Sequence, residues 1–401
     1  MHKRLVIIGG GQATVSLIAK LRQNKYEGSI TLICDEPFLP YQRPPLSKAY
    51  LLDKIKISRL FLKPENYYVN ENIDIRLGSK ATSIDRDSKI IKIGDERIAY
   101  DTLILATGAY PKKIPKHITN DISDIFSIRN INDVQLLKKK FANSRKALIV
   151  GGGYIGLEAA AVCREKGLNV LLVESGDRIL QRVACKETSS FLKMMHKEKG
   201  VDIREAVHAK SIHKDGKQII AQLSDGTKYS CDFIISGIGI NPNTSLAEKC
   251  GLKIDNGIST NELGVTSDDN IWAIGDCASF PYKKGNMRLE SVGNAIEHAE
   301  VVAENVCGSN IEYNPKPWFW SDQYDTKLQI AGLNDGFTNI VERKTNEKSV
   351  SFWYYSNEKL LAVDAINSPR DYMIGKKLIE AGHSPDKKTV RNPDSNLKEL
   401  L

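Results

Sequence analysis

The chain has 401 residues, of which 41% are hydrophobic and 26% charged, with seven cysteines and a formal net charge of +8. That length suits two or three domains rather than one core, the composition is that of an ordinary soluble protein, and no run approaches the roughly eighteen apolar residues of a membrane span. The cysteines contain no CxxC or CxxxxC pair, which excludes a redox disulfide of the usual spacing and an iron–sulfur or zinc site. Their odd number and scatter suit reduced thiols, hence a cytoplasmic setting. Basic residues are spread and mixed with acids, which argues against nucleic acid and for an acidic partner.

A first strand is reached by about Leu5, leaving no room for a signal peptide. The apolar run Val6-Ile7-Ile8 then meets Gly9-Gly10-Gly11-Gln12-Ala13-Thr14 and a helical segment. Glycine permits the tight strand-to-helix turn and lets the backbone approach a pyrophosphate, and the helix N-terminus offers unpaired N–H groups to the phosphates. A second apolar run, Ile30 to Cys34, ends at Asp35, about 20 residues past the loop, where a carboxylate meets a ribose hydroxyl. Thr14 stands where a third glycine or alanine is expected, and Ile18 where a small residue is usual, so this helix should sit slightly off its sheet. Strands are predicted at Ile73–Leu77, Ile90–Ile93 and Thr102–Leu105.

A polar linker leads to a predicted helix over Asn132–Phe141, on which Lys138-Lys139-Lys140 reads as a solvated face. From Lys146 the pattern repeats: Leu148-Ile149-Val150, Gly151-Gly152-Gly153-Tyr154-Ile155-Gly156, and a run from Val170 to Val173 ending at Glu174. This copy keeps all three glycines. Two such units imply two dinucleotides, one flavin and one nicotinamide. A turn over Gly237 to Asn243 leads to a strand that ends in Gly275-Asp276, then to a helix over Val292–Val306. Past Pro315 and Pro317, the cluster Trp318-Phe319-Trp320 and alternating runs at Lys327–Ile330, Val350–Tyr355 and Leu360–Ala365 predict an antiparallel sheet, with a helix around Tyr372–Ala381. The fold class is α/β: two Rossmann-like dinucleotide-binding domains plus a C-terminal α+β domain. The predicted boundaries are 1–108 with 236–315 for a discontinuous FAD domain, 109–235 for an inserted NAD domain, and 316–401 for the last. The histidines, including His2, show no metal spacing, and no metal is expected.

Four segments carry a resemblance: Pro40-Tyr41-Gln42-Arg43-Pro44-Pro45-Leu46-Ser47-Lys48, Gly151 to Glu158, Ala273-Ile274-Gly275-Asp276-Cys277-Ala278, and Pro317-Trp318-Phe319-Trp320-Ser321-Asp322-Gln323-Tyr324. Together the chain resembles the flavin-dependent ferredoxin reductase family of two-dinucleotide oxidoreductases, over nearly its whole length. The resemblance implies that FAD is held by Gly9, Gly11, Ala13, Asp35 and Asp276, with Arg43, Lys48, Ala81, Arg129 and Val292 near it. It implies a nicotinamide cofactor at Gly151, Gly153, Ile155, Gly156, Glu174 and Gly239, with Glu158 at the carboxamide. Lys48, Glu158 and Trp320 are the catalytic candidates, Trp320 at the edge where an electron leaves. Each has a plainer reading: Asp276 a helix cap, Lys48 a surface lysine on a helix beginning at Ser47, Glu158 a solvated acid, Trp320 ordinary core.

The implied activity is NADH:ferredoxin oxidoreduction, with electrons passed one at a time to an acidic two-iron ferredoxin that supplies a haem monooxygenase or a Rieske dioxygenase. Glu174 would repel a 2′-phosphate and favour NADH over NADPH. No nucleic acid or membrane partner is expected, and the chain is expected as a monomer or weak homodimer. The alternatives are a rubredoxin reductase and a redox-sensing flavoprotein like apoptosis-inducing factor.

Overall fold

The computed structural model describes residues 3–119, 122–283 and 285–401; His2 lies outside them. The chain forms two compact units: Met1–Gln42, Ile57–Tyr110 and Asn241–Pro317 in one, Arg43–Lys56, Pro111–Ile240 and Trp318–Leu401 in the other.

In the first unit, strand Arg4–Ile8 is buried from Leu5 onward, as an all-apolar strand covered on both faces should be. It lies between Thr102–Leu105 and Ser29–Ile33 in a parallel five-stranded sheet, with Ile7 opposite both Ile104 and Leu32. Ile271–Ala273 and Ile73–Arg76 flank it at the edges. Helix Gln12–Gln23 buries Leu17, Ile18 and Leu21 against this sheet and against Ala299, Val302 and Ala303 of helix Val292–Val306. Burying a Leu or Ile side chain is worth about 1.5–3 kcal/mol, so this one interface outweighs the intrinsic helix preference of either segment.

The second unit repeats the arrangement. Lys146–Val150 lies between Phe233–Ser236 and Asn169–Val173, with Ile125–Phe126 and Val201–Arg204 at the edges, all parallel. The duplication seen in the glycine loops therefore extends to strand order. The same unit carries a five-stranded antiparallel sheet in the order Trp318–Gln323, Thr326–Gly332, Lys359–Ile366, Ser349–Ser356, Asn339–Asn346. Helix Pro369–Glu380 packs on it through Tyr372, Ile374 and Leu378.

Several elements differ from the sequence reading. The strand from Ile73 stops at Arg76, leaving Leu77 exposed. The helix ending at Phe141 starts at Ile131, because Asn130 and Asp133 form a capping box ahead of it. The strand before Gly275-Asp276 is only Ile271–Ala273, and the glycine, at φ +72°, turns the chain into one 3-10 turn over Gly275–Cys277. No helix begins at Ser47: a 3-10 turn over Pro44–Ser47 ends there. The segment Arg43–Lys56, expected with the FAD domain, clusters with the second unit. Lys138 is not a free solvated cation either; it pairs with Asp53 at 2.8 Å and lies 3.8 Å from the Tyr50 ring centre, while Lys140 pairs with Asp124.

Candidate functional site

The two glycine loops share one local design. Gly9 has φ +119°, and a Cβ there would fall 2.1 Å from the Ala106 carbonyl oxygen; Gly151 has φ +108°, and a Cβ would fall 2.5 Å from that of Gly237. Only glycine makes either turn. The next glycines of the pattern, Gly11 and Gly153, are the N-caps of helices Gln12–Gln23 and Tyr154–Glu165, and a Cβ at either would meet nothing within 4 Å. Open space in front of amide groups that no side chain caps is what a pyrophosphate requires. The residues present therefore fit a dinucleotide at each loop.

The third position separates the copies. At Gly156 a Cβ would stand 2.0 Å from the Gly151 oxygen, so helix and loop touch backbone to backbone. Thr14 occupies the matching place in the first loop, fully buried, and its Oγ1 donates to the Gly9 oxygen at 2.5 Å. A hydroxyl contact replaces the backbone contact, so the first helix must stand further from its loop.

Beyond the first loop, a cavity of about 400 Å³ is lined by Gly9, Asp35, Lys80, Ala81, Thr107 and Asn243. Asp35 is exposed at its rim and Ala81 is buried. Ala13 lies against Gly275, whose added Cβ would be 3.2 Å from its own, which brings Asp276 beside the loop. Val292 opens its helix behind Ser291, whose hydroxyl accepts from the Asn294 amide.

In the second unit, Glu174 does not hang free at its strand end. Its Oε2 accepts from the Gly152 amide at 2.6 Å and its Oε1 from the Gly176 amide at 2.7 Å, so it braces the glycine loop. Ile155 is 37% exposed on the first turn of the helix. Gly239, at φ +107°, has the Lys112 and Arg182 side chains near where its Cβ would be. Arg43 donates to the Arg129 carbonyl at 2.8 Å, which joins two of the predicted residues.

Helix Tyr154–Glu165 is apolar nearly all round and is buried, and Glu158 is buried with it at 3% exposure. Its Oε2 accepts from Ser47 Oγ at 2.5 Å and pairs with Lys48 Nζ at 2.8 Å; its Oε1 accepts from Ser321 Oγ at 2.6 Å. Burial pushes this carboxyl above the ordinary range, and Lys48, Ser321 and Ser47 oppose that shift. The plain readings of Glu158 as a solvated acid and Lys48 as a surface lysine are therefore corrected. Both belong to one buried ion pair, and with Ser47 and Ser321 the cluster around it draws on three distant segments.

Trp320 is half-buried and stacks on Trp318, ring centres 5.6 Å apart at 22°, while Phe319 on the opposite face of the strand meets Tyr154 at 4.4 Å. The burial of Trp320 is only partial. Sequence reasoning gave no role to Ser47, Ser321, Gln323 or His196, although Ser321 and Gln323 are polar residues at alternate positions of one strand, the spacing that puts both on one face. Among the described residues no group of three or more His, Cys, Asp or Glu could hold a metal ion, and no helix is long and apolar enough to cross a membrane.

Two dinucleotide cradles in one chain define a two-dinucleotide oxidoreductase. The chain belongs to the pyridine nucleotide-disulphide oxidoreductase family, whose model matches residues 3–299, and a reductase C-terminal model matches residues 318–401. It is 38% identical to rhodocoxin reductase of Rhodococcus erythropolis, over 98% of this chain and 93% of that one. It is 35% identical to putidaredoxin reductase of Pseudomonas putida, over 100% and 97%. The solved covalent complex of putidaredoxin reductase with putidaredoxin contains a chain that superposes with a TM-score of 0.94 at 34% identity, over 99% of this chain and 98% of that one.

Proposed function

We infer that this chain is an FAD-dependent NADH:ferredoxin reductase whose electrons serve an oxygenase. The observation that carries the reading is the pairing, in one chain, of two phosphate cradles with a reductase C-terminal module, in a sequence without a redox cysteine pair. Bound FAD supplies hydride acceptance from NADH and release of single electrons. The protein's part is to hold and orient.

Gly9, Gly11, Ala13, Asp35, Ala81, Asp276 and Val292 are assigned to FAD, and the family resemblance adds Arg43, Lys48 and Arg129. Gly151, Gly153, Ile155, Gly156, Glu174 and Gly239 are assigned to NADH. Glu158, with Lys48, is assigned to the nicotinamide, and Trp320 to electron exit. We assign three domains: 1–108 with 236–315, 109–235, and 316–401. The working compartment proposed is the cytoplasm.

The test is direct. The purified protein should be yellow, release FAD on denaturation, and reduce a two-iron ferredoxin with NADH faster than it reduces a rubredoxin. Since the net charge is +8, raising salt should weaken the ferredoxin saturation constant, because screening acts over a Debye length of about 8 Å at physiological strength. A colourless protein that cannot be loaded with FAD would end the reading.

A further inference from the structure

Within the second unit, hydrogen bonds lead away from Glu158. Ser321 Oγ, which donates to Glu158, lies 3.0 Å from Gln323 Nε2. Gln323 Oε1 is 2.8 Å from His196 Nε2, and Tyr324 Oη is 3.5 Å from His196 Nδ1. Ser321, Gln323 and His196 are 1%, 2% and 0% exposed, so bulk water does not compete for these bonds.

With Glu158 ionised, the direction of every bond is forced. An ionised carboxylate only accepts, so Ser321 gives its hydrogen to Glu158. The serine oxygen then accepts from the Gln323 amide nitrogen, which only donates. The amide oxygen only accepts, so His196 carries its proton on Nε2 and presents Nδ1 to the Tyr324 hydroxyl. All donors point one way, and the chain ends on the buried carboxylate, where each bond polarises the next.

The far end is held under strain. Tyr324 has φ +55° in the turn between strands Trp318–Gln323 and Thr326–Gly332, an uncommon conformation for a bulky residue that marks a constraint. Its ring centre is 5.3 Å from that of His196 and 5.5 Å from Lys199 Nζ. Arg164 and Glu165, on the neighbouring helix, also act on Tyr324. The charged and titratable groups that face Glu158 are Lys48 and, from its own helix, Tyr154. Burial pushes the His196 imidazole down to about 4, which keeps it neutral and its tautomer defined.

We propose that His196 and Gln323 are positioning residues that act through Ser321 to fix the orientation and proton occupancy of Glu158. The proposal rests on the reading of Glu158 as acting at the nicotinamide.

The test uses FAD-loaded protein with His196→Phe, Gln323→Met and, as the conservative variant, His196→Gln, whose amide nitrogen can take the place of Nε2. Two readouts are recorded. One is the pH profile of flavin reduction by NADH in stopped flow. The other is the infrared titration of the Glu158 carboxyl without NADH, isolated by subtracting Glu158→Gln. Losing the chain weakens donation to the ionised form, so His196→Phe and Gln323→Met should move both the acid limb and the infrared titration to higher pH, by about one pH unit. His196→Gln should restore them, and in a Glu158→Gln background His196→Phe should leave the pH profile where it was. If either variant folds, retains FAD and leaves the infrared titration where it was, the chain is packing and the proposal fails. If Glu158→Gln itself leaves the pH profile unchanged, the assignment of Glu158 to the nicotinamide fails instead, and the infrared titration still decides the chain.

Discussion

Lys48 Nζ stands 2.8 Å from Glu158 Oε2, with side chains 17% and 4% exposed, so each is the other's neutralising partner out of bulk water. Removing one member of such a pair costs about 3–5 kcal/mol, because the other charge is left buried. In Lys48→Met the Glu158 carboxyl, already raised by burial, rises further. A carboxyl raised above its unfolded value contributes stability at low pH that is lost as pH climbs through the folded value. The variant should therefore come closest to the unmodified protein near pH 4 and fall behind towards neutrality, as denaturant midpoints at a series of pH values would show. A constant gap at every pH would mean the pair does not titrate this way.

Gly156→Ala places a Cβ 2.0 Å from the Gly151 oxygen, a contact backbone cannot relieve without moving the loop. NADH binding should weaken at least tenfold, while FAD content stays near one per chain because the first loop is untouched. Titration with NADH and the flavin absorbance separate the two effects. Loss of FAD with NADH binding preserved would reverse the assignment of the loops.

Glu174→Ala removes a carboxylate that binds two loop amides and that would lie near a 2′-phosphate. Loss of like-charge repulsion on the order of 1 kcal/mol should narrow the preference for NADH over NADPH by about fivefold. NADH affinity should also fall, since the brace on the loop goes with it. Equal kcat/KM for the two cofactors in the unmodified protein would refute the assignment.

Asp364 is fully buried; Thr188 Oγ1 donates to its Oδ2 at 2.8 Å and Tyr354 donates to the same atom, while Oδ1 has no partner among the described residues. Burial raises this carboxyl to about 7. It therefore adds stability below the ordinary aspartate value, near 3.9, that is lost as pH rises to about 7. Asp364→Asn cannot titrate, so its melting temperature should change less with pH over that window. Parallel pH curves for the two proteins would contradict this.

Trp320→Ala should slow ferredoxin reduction while leaving flavin reduction by NADH within a few-fold. Because Trp320 is half-buried and stacked on Trp318, the stability loss should fall below the roughly 3–5 kcal/mol of a fully buried tryptophan. Stopped-flow bleaching and steady-state ferredoxin reduction give the two rates. A folded, fully flavinated variant that reduces its ferredoxin at the original rate would make Trp320 a packing residue.

Features that depend only on neighbours along the chain could be read from the residues alone. A glycine that must adopt φ near +110°, an open second glycine at a helix start, and an acid after the next apolar strand are local requirements, and both loops were legible from them. Helix Val292–Val306 was legible to the residue from its apolar spacing. The rest came from contacts between distant segments. Glu158 looks like any acid on a helix until Ser47, Lys48 and Ser321 arrive from other segments and take it out of water. Thr14 breaks the pattern on paper but meets the Gly9 carbonyl in space. His196 and Gln323 carry no motif at all. Burial and hydrogen bonding between residues far apart in the chain have no local signature, and those are the forces that set the charge state of this site.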